Sequence, residues 1–199
     1  VLLICGANPT EAHPVFGAVA QRAIVVDALT GQALYEKNAD SKALQGSIAK
    51  IMTAHVALWA VQQGHVSLQD QVQISERAQE QACTCMLDMG GNKPQVGEIF
   101  FLQDLLYASL GLSMGEPTDA IAEHVAAAVV LGTKTPAATK WESERRMNLF
   151  LELMNDHVAH LGLTQTRFVT VHGGDACDFA MGCFIQIKNA CTPQSCATE

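Results

Sequence analysis

The stretch from Gly46 to Gly64 constrains this chain more than any other. A glycine-containing turn, Gln45-Gly46, runs into an apolar helical segment at residues 51–61, and Gly64 ends it. The spacing predicts a helix over residues 47–63 with Ile51, Ala54, Leu58 and Val61 on one face. Ser47 and Lys50 stand at its start. A serine three residues ahead of a lysine on a helix puts both side chains on one face, within reach of each other. That pairing suits a serine nucleophile with a lysine as its proton acceptor, provided the lysine pKa falls. Free N–H groups and the positive dipole end at a helix N-terminus also favour developing negative charge. Ser and Lys are common, however, and the bland alternative is an N-cap at Ser47 with Lys50 solvated on the surface.

The remaining chain reads as a mixture of short strands and longer helices. Residues 23–27 are apolar and β-branched, residues 28–32 form a turn, and residues 33–37 complete a β-hairpin. Residues 38–46 are a polar loop. Residues 66–74 alternate apolar and polar, which fits a short strand or extended segment, and residues 75–81 a short helix or turn. Gly90-Gly91-Asn92-Lys93-Pro94 makes residues 86–97 a loop. It lacks the Gly-Lys-Ser/Thr ending of a phosphate-binding loop. Helices are expected at 101–111, with Leu102, Leu105, Leu106 and Leu110 in register, and at 118–131. A linker at 132–140 precedes an amphipathic helix at 142–161, whose stripe of Met147, Phe150, Leu151, Met154, Val158 and Leu161 faces the core. A strand-like run at 167–171 leads into His172-Gly173-Gly174-Asp175-Ala176.

With 199 residues, 49% of them hydrophobic, the chain can bury a real core in one domain, with room for two lobes. Its net charge of −8 and pI near 5.3 come without a basic cluster, which argues against nucleic acid as a partner. No run approaches the ~18 consecutive apolar residues of a membrane span. Residues 1–7 are apolar and residues 8–14 polar, as in the tail of a secretory signal, so residues 1–20 are expected to be a signal-peptide remnant and leader; the alternative is a buried strand or loose end. Export would allow disulfides among Cys83, Cys85, Cys177, Cys183, Cys191 and Cys196, whose spacings match no zinc signature.

Three blocks in order carry a resemblance. Residues 23–40 (AIVVDALTGQALYEKNAD), 46–58 (GSIAKIMTAHVAL) and 154–176 (MNDHVAHLGLTQTRFVTVHGGDA) resemble the serine D-Ala-D-Ala carboxypeptidases, the low-molecular-mass penicillin-binding proteins of the bacterial envelope. The resemblance implies an α/β (α+β) class and a penicillin-binding/β-lactamase-like transpeptidase fold. In that fold a three-layer α/β lobe carries a helical lobe, here at about residues 64–162, with the active site between them. A DD-peptidase-like domain is expected over residues 21–178, with a divergent Cys-rich tail at 179–199. By the same resemblance Ser47 is the acylated nucleophile and Lys50 its general base, no cofactor is needed, and the site works in the periplasm or cell envelope. Its partners are the peptidoglycan pentapeptide stem and β-lactams as acylating inhibitors.

The family's other two motifs fit less well. Its second motif, Ser-x-Asn, falls on Ser113-Met114-Gly115: Ser113 matches as a third catalytic residue, but Gly115 replaces the amide. Its third, Lys-Thr-Gly, follows the His-Gly turn in the family and finds no counterpart there, so the fold is expected to be incomplete at its C-terminal side. Lys134-Thr135-Pro136 imitates it but lies in the linker, and Pro136 has no N–H for a strand ladder. These departures leave an alternative open, a catalytically impaired relative or fragment that only binds peptidoglycan or a partner. A β-lactamase-like hydrolase is a weaker reading, since no Glu stands where it would activate a deacylating water. His157 and His160 read as polar-face residues rather than metal ligands, His172 as structural, and His55 as a partly buried helix residue that could also pack beside the site.

Overall fold

The computed structural model describes residues 20–80 and 94–174. The expected leader, the cysteines and the tail lie outside the described residues. The chain divides into two compact units between Leu44 and Gln45.

The first unit is the expected β-hairpin. Strand β1 (Ala23–Val26) pairs antiparallel with β2 (Ala33–Lys37), with Ile24 opposite Glu36 and a bulge between Val25 and Val26. Asp27 organises the turn. Its Oδ1 accepts hydrogen bonds from Leu29 N, Thr30 N and Thr30 Oγ1, and Gly31, at φ +73°, takes the left-handed conformation that closes it. These bonds, from Thr30 first and then Leu29, hold the Asp27 carboxyl below its usual range.

The second unit holds five helices and a two-stranded sheet among the described residues. A single 3₁₀ turn (Gly46–Ile48) leads into α1 (Ala49–Gln62), followed by β3 (Gln71–Gln73), α2 (Glu76–Glu80), β4 (Ile99–Phe101), α3 (Leu102–Gly111), α4 (Gly115–Val130) and α5 (Lys140–His160). Strands β3 and β4 are antiparallel, with Val72 opposite Phe100. Helix α4 is the centre of the unit, buried from Glu116 to Ala128 and packed on by α1, α2, α3 and α5. Its run of Ala120, Ala122, Ala126, Ala127 and Ala128 lets those neighbours approach closely. Phe150 and Met154 of α5, Leu102 and Leu105 of α3, and Val56 and Ala57 of α1 fill the core around it.

Several expectations are corrected. The buried residues of α1 are Ala49, Lys50, Met52, Thr53, Ala54, Val56, Ala57 and Ala60, while Ile51 and Leu58 are half-exposed, so the inward side includes Lys50 and Thr53 in place of the expected Ile51 and Leu58. Helix α4 starts three residues earlier than expected. Pro117 sits in the first turn, where its missing N–H would have no helical partner. The alternating run at 66–74 is a strand only over Gln71–Gln73. Residues 167–171 form no strand: the side-chain amide of Asn155 takes the place of a strand partner, accepting from Phe168 N and donating to Phe168 O, each at 2.9 Å. Helix α5 begins at Lys140, two residues early, with Thr139 as its cap, Oγ1 accepting from Glu142 N at 3.2 Å.

Candidate active site

Ser47 sits in the 3₁₀ turn that opens α1, and its side chain caps neither helix. Instead Lys50 Nζ donates to Ser47 Oγ at 3.0 Å and to Ser113 Oγ at 3.2 Å, and Ser113 Oγ donates to Ser47 Oγ at 2.8 Å. The three polar groups thus form a closed triangle. Ser47 is exposed, Ser113 half-buried and Lys50 only 5% exposed. A serine hydroxyl facing solvent beside a buried amine is the geometry a proton transfer from Oγ to Nζ needs. The N-cap and surface-lysine alternative is therefore excluded.

Ser113 reaches the triangle through an unusual backbone. Its φ of +57° is left-handed, which a non-glycine residue adopts only at a cost met by its surroundings. Behind it, Thr118 Oγ1 donates to Met114 O at 2.6 Å and shares a 2.7 Å hydrogen bond with the fully buried Ser109. Gly115, at the position of the family's asparagine, is the first residue of α4 and brings no amide to the site.

The segment at residues 170–174 closes the other side. Thr53, one turn after Lys50 and fully buried, donates from Oγ1 to Val171 O, and Lys50 Nζ donates to His172 O at 3.1 Å. Gly173, at φ +78°, lies flush against Gly46, at φ +54°. A Cβ on Gly173 would stand 1.7 Å from the Gly46 carbonyl oxygen. The glycine before the serine and the glycine after the histidine are thus the contact that lets the two segments meet.

Beneath this segment lies a charged cluster that the sequence reading missed. Asp119 of α4 is fully buried and paired with Arg77 of α2 at 2.5 Å. Burial pushes the Asp119 carboxyl up to about 7, against the opposing pull of Arg77. Its Oδ1 lies 3.8 Å from His172 Nε2. Burial first, then the charges of Lys50 and Arg77, hold the His172 imidazole down to about 4. No local signal sets Asp119 apart in the sequence, because α4 carries Glu116, Glu123 and His124 among its Ala, Ile and Val as well.

The other singled-out residues lie elsewhere. Lys134 donates to Asp70 at 2.6 Å, and Asp70 also holds His124 at 3.1 Å, so the Lys-Thr-Pro imitation is a linker feature, as read. His55 is exposed, not partly buried, and meets His157, whose Nδ1 is 3.3 Å from His55 Nε2 beside the Trp59 ring. Among the described residues no group of three or more His, Cys, Asp or Glu is arranged to hold a metal ion. No described helix is long and apolar enough to cross a membrane.

Comparison with known proteins gives the site its context. The chain is 29% identical over 153 residues to D-alanyl-D-alanine carboxypeptidase DacC of Escherichia coli K12, covering 77% of this chain and 34% of that protein. It is 28% identical over 163 residues to DacA of Haemophilus influenzae, covering 78% and 34%. The chain spans about a third of the length of the curated relatives it matches. Its fold matches a peptidoglycan synthesis regulatory factor (PBP3) of Streptococcus pneumoniae at a TM-score of 0.63 and 24% identity, over 82% of this chain and 43% of that one. It also matches penicillin-binding protein D2 of Listeria monocytogenes in its ampicillin-bound form at 0.58 and 22%, over 82% and 55%. These neighbours share the mixed helix-and-sheet class expected from the sequence. The model of the Peptidase S11 family, D-alanyl-D-alanine carboxypeptidase, matches residues 8–130, a stretch that contains Ser47, Lys50 and Ser113. With well over half of its length matched, the chain belongs to the D-alanyl-D-alanine carboxypeptidase family of serine peptidases.

Proposed function

We propose that this chain carries the acylating site of a serine-type D-Ala-D-Ala carboxypeptidase acting on peptidoglycan stem peptides. The observation that supports it most is the closed triangle of Ser47 Oγ, Lys50 Nζ and Ser113 Oγ, with sides of 2.8–3.2 Å, in a chain of this family. Ser47 Oγ attacks the carbonyl carbon between the two D-Ala residues while its proton passes to Lys50 Nζ, once that amine has given up one of the protons it donates to Ser47, Ser113 and His172. The backbone N–H of Ser47, in the turn that opens α1, receives the developing oxyanion. The proton returns through Ser113 to the leaving amine, the C–N bond breaks and D-Ala departs. Water then hydrolyses the ester on Ser47. A β-lactam offers its amide carbonyl to the same oxygen and leaves a covalent adduct, as the ampicillin-bound form of the Listeria neighbour suggests.

The domain layout and location follow from the same reading. Residues 21–178 are the DD-peptidase-like domain and about 64–162 its helical lobe, with residues 1–20 a leader for export. The site then works in the periplasm or cell envelope, where its substrate is.

The direct test is D-Ala release from a peptide ending in D-Ala-D-Ala. The folded chain is expected to release D-Ala, and Ser47→Ala to abolish release. No release from the folded parent contradicts the enzyme reading. Gly115 at the second motif favours one other reading, a relative that binds peptidoglycan without cutting it. In that case the parent and Ser47→Ala co-sediment equally with peptidoglycan and neither releases D-Ala.

A further inference from the structure

Asp119 has no role in the steps above, yet it is fully buried and only partly satisfied. Its Oδ2 holds Arg77, while its Oδ1 has no hydrogen-bond partner and lies 3.8 Å from His172 Nε2. The His172 ring is fixed from its other edge. Gly174 N donates to Nδ1 at 2.9 Å, which makes Nδ1 the acceptor and places the neutral ring's proton on Nε2, the nitrogen nearest Asp119. The backbone carbonyl of the same histidine accepts from Lys50 Nζ at 3.1 Å. The 3.8 Å separation is too long for a direct hydrogen bond, and a shift of about 1 Å closes it.

We infer that Asp119, held by Arg77, is a positioning residue for the serine chemistry: it orients the His172 ring so that the His172 carbonyl stays on Lys50 Nζ. Asp119 touches neither Ser47 nor Lys50, so it acts through His172. The charged and titratable groups around it are Arg77 from α2, Glu116 and Glu123 from its own helix, and His172 with Lys50 beyond it. The consequence for rate rests on the peptidase reading, but the link from Asp119 to Lys50 is independent of it.

The test uses the full chain and two variants. Arg77→Met/Asp119→Leu removes both charges together, so neither is left buried alone. Asp119→Asn keeps an oxygen to accept from Nε2. Nuclear magnetic resonance reads the ¹⁵N shifts of His172 and the ¹³Cε shift of Lys50, and intact mass follows the rate of penicillin adduct formation from pH 5 to 9. In the folded double variant the His172 ring is expected to lose its single Nε2–H tautomer and the Lys50 resonance to move. Adduct formation should slow by roughly tenfold to a hundredfold. Its pH profile should change shape, and Asp119→Asn should restore most of each effect. Unmoved His172 and Lys50 resonances in the folded double variant overturn the inference whether or not the chain is acylated. An unchanged adduct rate, where the parent is labelled, overturns it also. Resonances that move in a chain whose parent takes no penicillin uphold the positioning and sink the peptidase reading instead.

Discussion

The β1–β2 turn and the Ser47 site solve the same problem, holding polar groups in fixed geometry, by opposite means. The turn draws everything from Asp27, Leu29, Thr30, Gly31 and Gln32, with every bond spanning five residues or fewer. The site draws on Ser47, Lys50, Ser113 and His172, with bonds spanning 63, 66 and 122 residues besides one of three. A local device fails alone. A non-local one depends on every segment that delivers a group to it, so residues that touch no substrate can control it.

The sharpest way to break that contrast is Gly173→Ala. The added Cβ would collide with the Gly46 carbonyl and also face a positive φ. Backbone strain alone is worth about 1–3 kcal/mol, and displacement of the segment by about 1 Å is expected to slow penicillin acylation roughly 10²-fold. Thermal melting and adduct kinetics read the two effects separately, and a variant that acylates like the parent would show that the Gly46–Gly173 contact is dispensable.

A second test uses pH. Asp119 is raised to about 7 in the folded state, so between about pH 4 and 7 the folded chain holds a proton that the unfolded chain has lost, and stability falls as pH rises through that window. His172 is lowered to about 4, so between about 4 and 6.5 the unfolded chain holds the extra proton, and this contribution to stability rises with pH. The two slopes oppose each other in the parent, each at most about 1.4 kcal/mol per pH unit. Asp119→Asn should unmask the rise and His172→Gln the fall. Denaturant titrations at pH 4.5, 5.5 and 6.5 measure both, and parallel curves for the two variants would contradict the assignment.

Thr53→Val ranks third. It leaves the Val171 carbonyl buried without its donor, an expected loss of about 1–3 kcal/mol by urea unfolding. Full stability in that variant would mean that the 170–174 segment is anchored elsewhere. Asp27→Ala should do least. Hydrogen exchange at Leu29 and Thr30 should quicken, because their N–H acceptor is gone, while penicillin acylation is unchanged. Altered acylation would show that the turn is not the local device described.

What could be read in advance follows the same division. The hairpin, the start of α1 and most of the core stripe of α5 were legible because short spacing encodes them: Met147, Phe150, Met154 and Val158 are buried as their period requires, Leu151 is half-buried, and Leu161, at the helix end, is exposed. That Ser47, Lys50 and Ser113 come together was legible through motif and family. The buried face of α1 was misread because apolar Ile51 and Leu58 outweighed Lys50 and Thr53 in any pattern count, although the polar pair faces the site. The strand at 167–171 was misread because its partner is the Asn155 side chain, which no periodicity reports. Asp119 and the Gly46–Gly173 contact depend on where distant segments meet, and neither has a local signature.

If Lys50 activates Ser47, the two residues are needed together for acylation. Intact mass of the folded chain after incubation with a penicillin, beside Ser47→Ala and Lys50→Met, tests it most directly. One stoichiometric adduct is expected on the parent and none on either variant. A folded parent that takes up no penicillin, or an adduct that survives in Ser47→Ala, would contradict it.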